Sequence, residues 1–395
     1  MSANPTSPAD RLRKLLRFVA IYGPSRTFFK VAGRLRFRPP GWARARTRDI
    51  GLIGCGQFAF ATMGYFLQRS FGPRIAVCFD TDDQAARSLA GALRVPHVAS
   101  DADALLATPG LRTVYIASNH ASHADYAVRA LGQGLDVYAE KPIAVTHAQL
   151  VDLLRAQRSA RGRLFAGYNR PFSAAVRRLR AATCIDPSGG ITLQCFVIGH
   201  QLAPDHWYRR PDEGTRICGN VGHWLDLMVH VLAWRGLPDR LQISITAAAD
   251  SEPDDNVCIA IRSDRADLFS VMLTSRSEPF EGINETINFQ HGETICKIDD
   301  FRRMTVWQGA AVSTTRFWPK DVGHQRAILQ PFASEVGRDW HEVELSTLLM
   351  LHITEMVRRS EQHSTFSFVT QWQQLQHAMA ALPPTTPPPQ GFTVQ

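Results

Sequence analysis

The sequence predicts an α/β domain built on a doubly wound parallel sheet, then an α+β domain with a mainly antiparallel sheet. Two observations carry this. From Arg48 to about residue 166, short apolar runs alternate with helical stretches, the pattern of a parallel sheet covered on both faces. Past "GYNRPFS" (167–173) the order turns strand-rich, and apolar residues alternate with polar ones. A chain of 395 residues is long enough for two such cores.

In order, "DIGLIG" reads as a strand and "FAFATMGYFLQRS" as a helix; "RIAVCFD" and "DDQAARSLAGAL" repeat the pair. A short strand, a helix and the strand "TVYIAS" follow. Then come the helix "HASHADYAVRALGQG" and the strand "DVYAEKP". In the second half, "ITLQCFVIGH", "LQISITAA", "NVCIAIRS", "LFSVMLTSR", "ETINFQHGETICKIDDF" and "MTVWQG" read as strands, with His291-Gly292 as a hairpin turn. The expected boundaries are 1–47 for a basic extension, 48–166 and 167–380 for the two domains, and 381–395 for a proline-rich tail.

The seven cysteines are scattered with no C-x-x-C pair, which argues against a zinc ribbon or disulfide scaffold and fits a reducing, cytoplasmic setting. No apolar run is long enough to span a bilayer, and no secretory segment is expected. The net charge of +8 is concentrated: residues 1–50 hold ten Arg and two Lys against Asp10 and Asp49, hence +10, and the rest sums to −2. A uniformly basic nucleic-acid binder is therefore not expected. The extension mixes Leu, Phe and Val with Arg at helical spacing, with Asp10 as a cap, an end at Gly23-Pro24 and a linker at Pro39-Pro40 and Arg44–Arg48. It reads either as an arm that packs on the body or completes an oligomer interface, or as a basic amphipathic arm for a partner protein or for peripheral attachment to an anionic membrane, at its inner face. On either account, its removal is expected to leave dinucleotide binding intact.

"IGLIGCGQFA" places Gly54-x-Gly56-x-x-Ala59 between a strand and a helix. Gly54 permits the tight turn, Gly56 lets the backbone approach a pyrophosphate, and Gln57, Phe58 and Ala59 begin a helix whose amides face negative charge. Asp80 ends the second strand, 26 residues past Gly54, where an acid binds the adenosine ribose. Its carboxylate would repel a 2′-phosphate, so NAD is expected rather than NADP. Ser118, Asn119 and His120 end a later strand and should border the same cofactor; His123 is there too, or caps the following helix. "AEKP" brings Lys141 to that rim. A lysine there can hydrogen-bond a substrate hydroxyl and stabilise alkoxide character, with Glu140 holding it or touching the nicotinamide ribose.

"GLIGCGQFA", "IASNHASHA", "AEKP" and "GYNRPFS" together resemble successive motifs of the Gfo/Idh/MocA oxidoreductase family, in the family's order. "KIDDFR" and "KDVGH" resemble its branch in polysaccharide and nucleotide-sugar biosynthesis. The resemblance covers about residues 48–370 and implies a Rossmann domain, an open-faced antiparallel sheet domain, and a nicotinamide cofactor with a sugar, cyclitol or related polyol as substrate. It also implies a histidine-bearing helix, here "GTRICGNVGHWLDLMVHVLAW", with His223 in the family histidine's place. Gly219 stands where the family usually has an aspartate.

Asn220, His223, Asp226 and His230 would lie within roughly a 120° arc of one straight helix. As a catalytic face, His223 exchanges the hydroxyl proton and Asp226 or Asn220 orients it. A metal site has no obvious fourth ligand and is not expected; the plain alternative is a polar face with satisfied neighbours. Tyr168, Asn169 and Arg170 are expected at the domain junction against the substrate. Arg209, Arg210 and Arg216 are either solvated or matched to a substrate phosphate or carboxylate. The reading is an NAD(H)-dependent oxidoreductase acting on a hydroxyl or keto carbon of a sugar or nucleotide sugar, in a homo-oligomer, with no nucleic-acid partner. A dinucleotide-sensing regulator of the same fold is the alternative.

Overall fold

The computed structural model describes residues 8–37, 47–249, 251–279, 282–334 and 337–381. Pro39-Pro40, most of the Arg44–Arg48 run and the proline-rich tail from residue 382 lie outside the described residues. The first sheet contains β1 (Ile50–Ile53), β2 (Ile75–Phe79), β3 (His97–Val98), β4 (Thr113–Ile116), β5 (Asp136–Ala139) and β6 (Leu164–Ala166). They run parallel in the order β3-β2-β1-β4-β5-β6. Every residue of β1, β2 and β4 is buried, because helices cover both faces. The strand order reverses between β1 and β4, and a crevice opens beyond their carboxyl ends at that point.

The second sheet holds β7 (Thr192–Ile198), β8 (Arg240–Ala247), β9 (Val257–Ser263), β10 (Leu268–Thr274), β11 (Asn284–His291), β12 (Thr294–Asp299), β13 (Arg303–Gln308), β14 (Ala311–Arg316) and β15 (His363–Ser367). Their order is β14-β13-β12-β11-β7-β10-β9-β8-β15. β7 and β10 pair in parallel, and the other described neighbours are antiparallel. Alternating burial along β7 and β10 turns one face onto helices Gly222–Ala233 and Trp340–Arg358 and leaves Phe196, Leu268 and Met272 exposed on the other. β14 and β15 had no expectation. β14 is almost wholly exposed, so it carries no alternation to read.

The arm is a helix, Pro8–Leu35, broken at Gly23 (φ 77°, ψ 161°) and resuming at once through Pro24. The expected stop is therefore a kink. Beyond it, Phe29 and Ala32 are buried in the core of the first domain, with Phe29 against Phe60 and Tyr65. Gly33 comes so near that a Cβ there would lie 2.7 Å from the Phe60 ring. Ile21 is buried as well, and Arg36 donates to the Cys55 carbonyl in the glycine turn at 3.1 Å. Burying each such side chain stabilises by about 1.5–3 kcal/mol. The packing weighs against the expectation that dinucleotide binding survives removal of the arm, because deletion would strip the helix that follows the glycine turn of its cover.

Candidate active site

Gly54 leaves β1 at φ 90°, and a Cβ there would meet the Ala117 carbonyl oxygen at 2.4 Å, so the turn requires glycine. A Cβ at Gly56 would meet nothing within 4 Å, which leaves its backbone bare to the crevice. Gln57 and Phe58 follow at the wall of that crevice, while Ala59 packs in the core beneath, inside a π-helical turn (Ala59–Gly64). Asp80 lies at the tip of β2, accepting from the Cys55 amide (2.6 Å) and the Asp82 amide (2.9 Å). Each carboxylate oxygen keeps lone pairs for further donors such as ribose hydroxyls. These residues line a cleft of about 560 Å³ that continues past Ser118, Asn119, His120 and His123 to Glu140 and Lys141. A dinucleotide fits this donor set: a bare glycine turn before a helix, and an oriented acid one strand away. Asp80→Ala is expected to weaken NADH binding and narrow its advantage over NADPH in parallel fluorescence titrations. Tighter NADPH binding by the unaltered protein would refute the role given to Asp80.

The segment that follows β4 is tied down from two sides. His123 faces the Pro142 carbonyl through Nδ1 (2.8 Å) and the Ser118 carbonyl through Nε2 (3.1 Å). Burial pushes its pKa down to about 4 despite these carbonyls, so the ring is neutral and only one contact is a hydrogen bond at a time. Across the cleft, the wholly buried Glu213 accepts from Asn119 Nδ2 (2.7 Å) and the Ala121 amide (3.1 Å). Glu213 pins the segment of residues 203–213 over the rim. His120 is covered there by Trp207 and Tyr208, each ring centroid 4.6 Å away.

Glu140 is buried, accepting from Tyr138 Oη (3.0 Å) and the Lys141 amide (3.2 Å). Lys141 Nζ donates to the Gly219 carbonyl at 2.7 Å. Desolvation raises the Glu140 pKa to about 7 and lowers that of Lys141 to about 8, each opposed by the other's charge. The pair therefore sits near neutrality, where proton exchange is most efficient.

Gly219 belongs to a second π-helical turn, Ile217–Val221, which leads into helix Gly222–Ala233. A Cβ at Gly219 would meet Tyr208 Cε2 at 2.5 Å and His120 Cε1 at 2.8 Å. The Tyr208 ring thus fills the room that a side chain at 219 would need. π-helical turns recur at functional sites, and this one also breaks the even register assumed for the polar stripe.

The stripe divides among separate partners. His223 Nδ1 is buried without a hydrogen-bond partner, and burial with the charges of Arg170 and Lys141 holds its pKa well below the ordinary value. Asp226 does not orient it. Asp226 is wholly buried, its carboxylate held by Arg338 Nη1 (2.6 Å) and Ser346 Oγ (3.0 Å). Asn220 accepts from Arg216, and His230 faces Glu342 at 2.9 Å. The catalytic role expected of Asp226, and the orienting role offered for Asn220, are corrected accordingly.

The junction residues are also spent on the protein. Tyr168 Oη faces Met350 Sδ, Asn169 Nδ2 donates to the Val322 carbonyl (2.6 Å), and Arg170 pairs with Glu285, which also accepts from Trp224. All are buried, and their polar atoms are paired with residues of the second domain and not turned to the cleft. Arg209 and Arg216 bind Asp255, whereas Arg210 is exposed and lines the cleft. His324, from "KDVGH", was given no role by the sequence reading. It packs edge-on to Phe58 (5.6 Å), and its Nδ1 is buried without a partner. Gly323 (φ 93°) sets its place, since a Cβ there would lie 2.0 Å from the Asn169 carbonyl oxygen.

Residues 48–168 match the oxidoreductase family Gfo/Idh/MocA, described by its NAD-binding Rossmann fold. Over these residues, about a third of its length, the chain is similar to that family's NAD-binding domain. It is 28% identical over 193 residues to an inositol 2-dehydrogenase of Ralstonia nicotianae, covering 48% of this chain and 54% of that protein. It is 24% identical over 261 residues to a myo-inositol dehydrogenase of Streptomyces leeuwenhoekii, covering 62% and 77%. The chain spans about half the length of the inositol 2-dehydrogenases that it matches first. In fold it is similar to a levoglucosan dehydrogenase solved with NADH and levoglucosan (TM-score 0.65, 16% identity), over 82% of this chain and 100% of that one. The second sheet therefore belongs to the same shared fold as the first. Among the described residues, no helix is long and apolar enough to cross a membrane.

Proposed function

We propose that the chain is an NAD(H)-dependent oxidoreductase that interconverts a secondary alcohol and a ketone on a sugar or cyclitol. The observation that carries this is the Lys141 ammonium reaching across the domain boundary to the Gly219 carbonyl, one helical turn ahead of His223. This bond ties the nicotinamide rim to the turn that leads into the histidine helix. The cofactor would supply or accept the hydride. Lys141 has three donors, so its bond to Gly219 leaves two for the oxygen that gains charge. Neutral His223 exchanges the hydroxyl proton. Relatives named inositol and levoglucosan dehydrogenases support an uncharged polyol. The narrower reading, a nucleotide sugar in polysaccharide assembly, is supported by Arg210, an exposed guanidinium on the cleft lining of the type that pairs with phosphates. Purified protein is to be titrated with NADH and screened for turnover on cyclitols, sugars and nucleotide sugars. A homo-oligomer formed through the exposed face of the second sheet belongs to the same proposal.

The pH dependence follows from the coupled pair. Protonated Lys141 is the active form, so activity should fall as pH rises through about 8. Glu140→Gln removes the charge that holds the lysine pKa up, and the alkaline limb of kcat/KM should move to lower pH. A limb that stays in place would refute Lys141 as its source.

A second reading is a dinucleotide-sensing regulator, favoured by Gly219 in the aspartate's position and by Tyr208 filling the space beside it. Tight NADH binding without turnover on the whole panel would select it.

A further inference from the structure

The first half of the arm helix has two apolar sides, and the body uses one. Ile21 is buried, and Phe18 lies under Lys30, whose ammonium is 4.2 Å from its ring. Leu12, Leu15, Leu16 and Val19 fall at i, i+3, i+4 and i+7, a stripe roughly 100° wide on the side away from Ile21. Leu12 is 57% exposed, Leu15 41% and Leu16 60%. Arg11 and Arg13 lie on either flank, about 100° from Leu12 in opposite senses. Across residues 8–37, eight Arg and Lys residues stand against Asp10 alone. Trp318, also exposed, donates its indole N–H to the Ala20 carbonyl (2.9 Å), beside the end of the stripe.

We propose that this face of the arm seats the protein on an anionic lipid bilayer, with the leucine stripe entering the headgroup boundary and the flanking arginines meeting lipid phosphates. The charge chooses the occupant. A second copy of the arm would bring cation against cation. Nucleic acid would satisfy the arginines and leave the leucines in water. An anionic bilayer satisfies both, and an exposed tryptophan suits its interface. The helix would lie on the membrane, held by its packed second half to the domain that carries the cleft. Attachment therefore needs no movement of the body.

Point substitutions test this better than truncation, since the second half of the arm is part of the fold. Full-length protein is sedimented with phosphatidylcholine vesicles containing about one-third phosphatidylglycerol. It is expected to pellet at low salt, to be released at about 0.5 M salt, and to ignore pure phosphatidylcholine vesicles. Leu12→Glu with Leu16→Glu should lower the pelleted fraction at least about tenfold without moving the urea midpoint, because both side chains are exposed. Should that variant prove unstable, Arg11→Gln with Arg13→Gln is expected to weaken pelleting by itself. Failure to pellet on anionic vesicles at low salt would overturn the proposal, as would undiminished pelleting of both variants. So would velocity sedimentation without lipid in which the leucine variant turns a dimer into a monomer, since the stripe would then join two copies.

Discussion

Lys141→Met and His223→Ala are each expected to lower turnover roughly a hundredfold or more while NADH binds nearly as before. Lys141 is the only lysine among the cleft-lining residues, and it lies beside a carboxyl whose desolvation keeps the pair near neutrality. Methionine matches its length but cannot donate a hydrogen bond to a developing alkoxide. His223 offers a neutral ring with an unpartnered nitrogen, which suits proton exchange. Both residues stand away from the glycine turn and Asp80, which would hold most of the dinucleotide. Steady-state rates and NADH fluorescence titration separate the two effects. The His230→Ala variant is the control for helix register: His230 faces Glu342, so its loss should leave the rate nearly unchanged. A collapse of activity in His230→Ala with His223→Ala intact would reverse the assignment.

Arg338→Met is expected to destabilise the fold by about 3–5 kcal/mol, read as a shift in the urea unfolding curve. Asp226 is wholly buried, and Arg338 is the cation that neutralises it, bridging to Glu342 as well. Removing the guanidinium strands a carboxylate in the core with the Ser346 hydroxyl as its remaining partner. The charge-neutral pair of changes, Arg338→Met with Asp226→Asn, should recover part of the loss. Turnover per folded molecule should survive in both. A large fall in kcat with the unfolding curve unmoved would return Asp226 to the chemistry.

These two cases mark how far the sequence could be read. The glycine turn, Asp80 and the E-K-P rim are local: each is a few residues at a strand end, and the strand order of a doubly wound sheet brings those ends to one crevice. The helix stripe was not local. Its spacing put His223 and Asp226 on one side of an ideal helix, but spacing does not say which neighbour arrives opposite. Arg338, far along the chain, claimed Asp226, and the π-helical turn before Gly222 upset the even register. "GYNRP" shows the same limit. Its polar residues do reach the junction, yet Glu285 and the Val322 carbonyl are there to consume them.

By itself the sequence determined the two sheet domains, the dinucleotide turn and the charge asymmetry of the arm, because hydrophobic period, glycine geometry and net charge are properties of short stretches. Only the tertiary structure decided which polar side chains remain free for chemistry. A carboxylate, an arginine or an imidazole is available only if no partner from a distant segment has already satisfied it in the desolvated interior. That accounting assigned Asp226, Asn220 and Arg170 to the framework, brought Tyr208 to the cleft, set Glu213 against Asn119 and His324 against Phe58, and buried half of the arm while leaving its leucines in water.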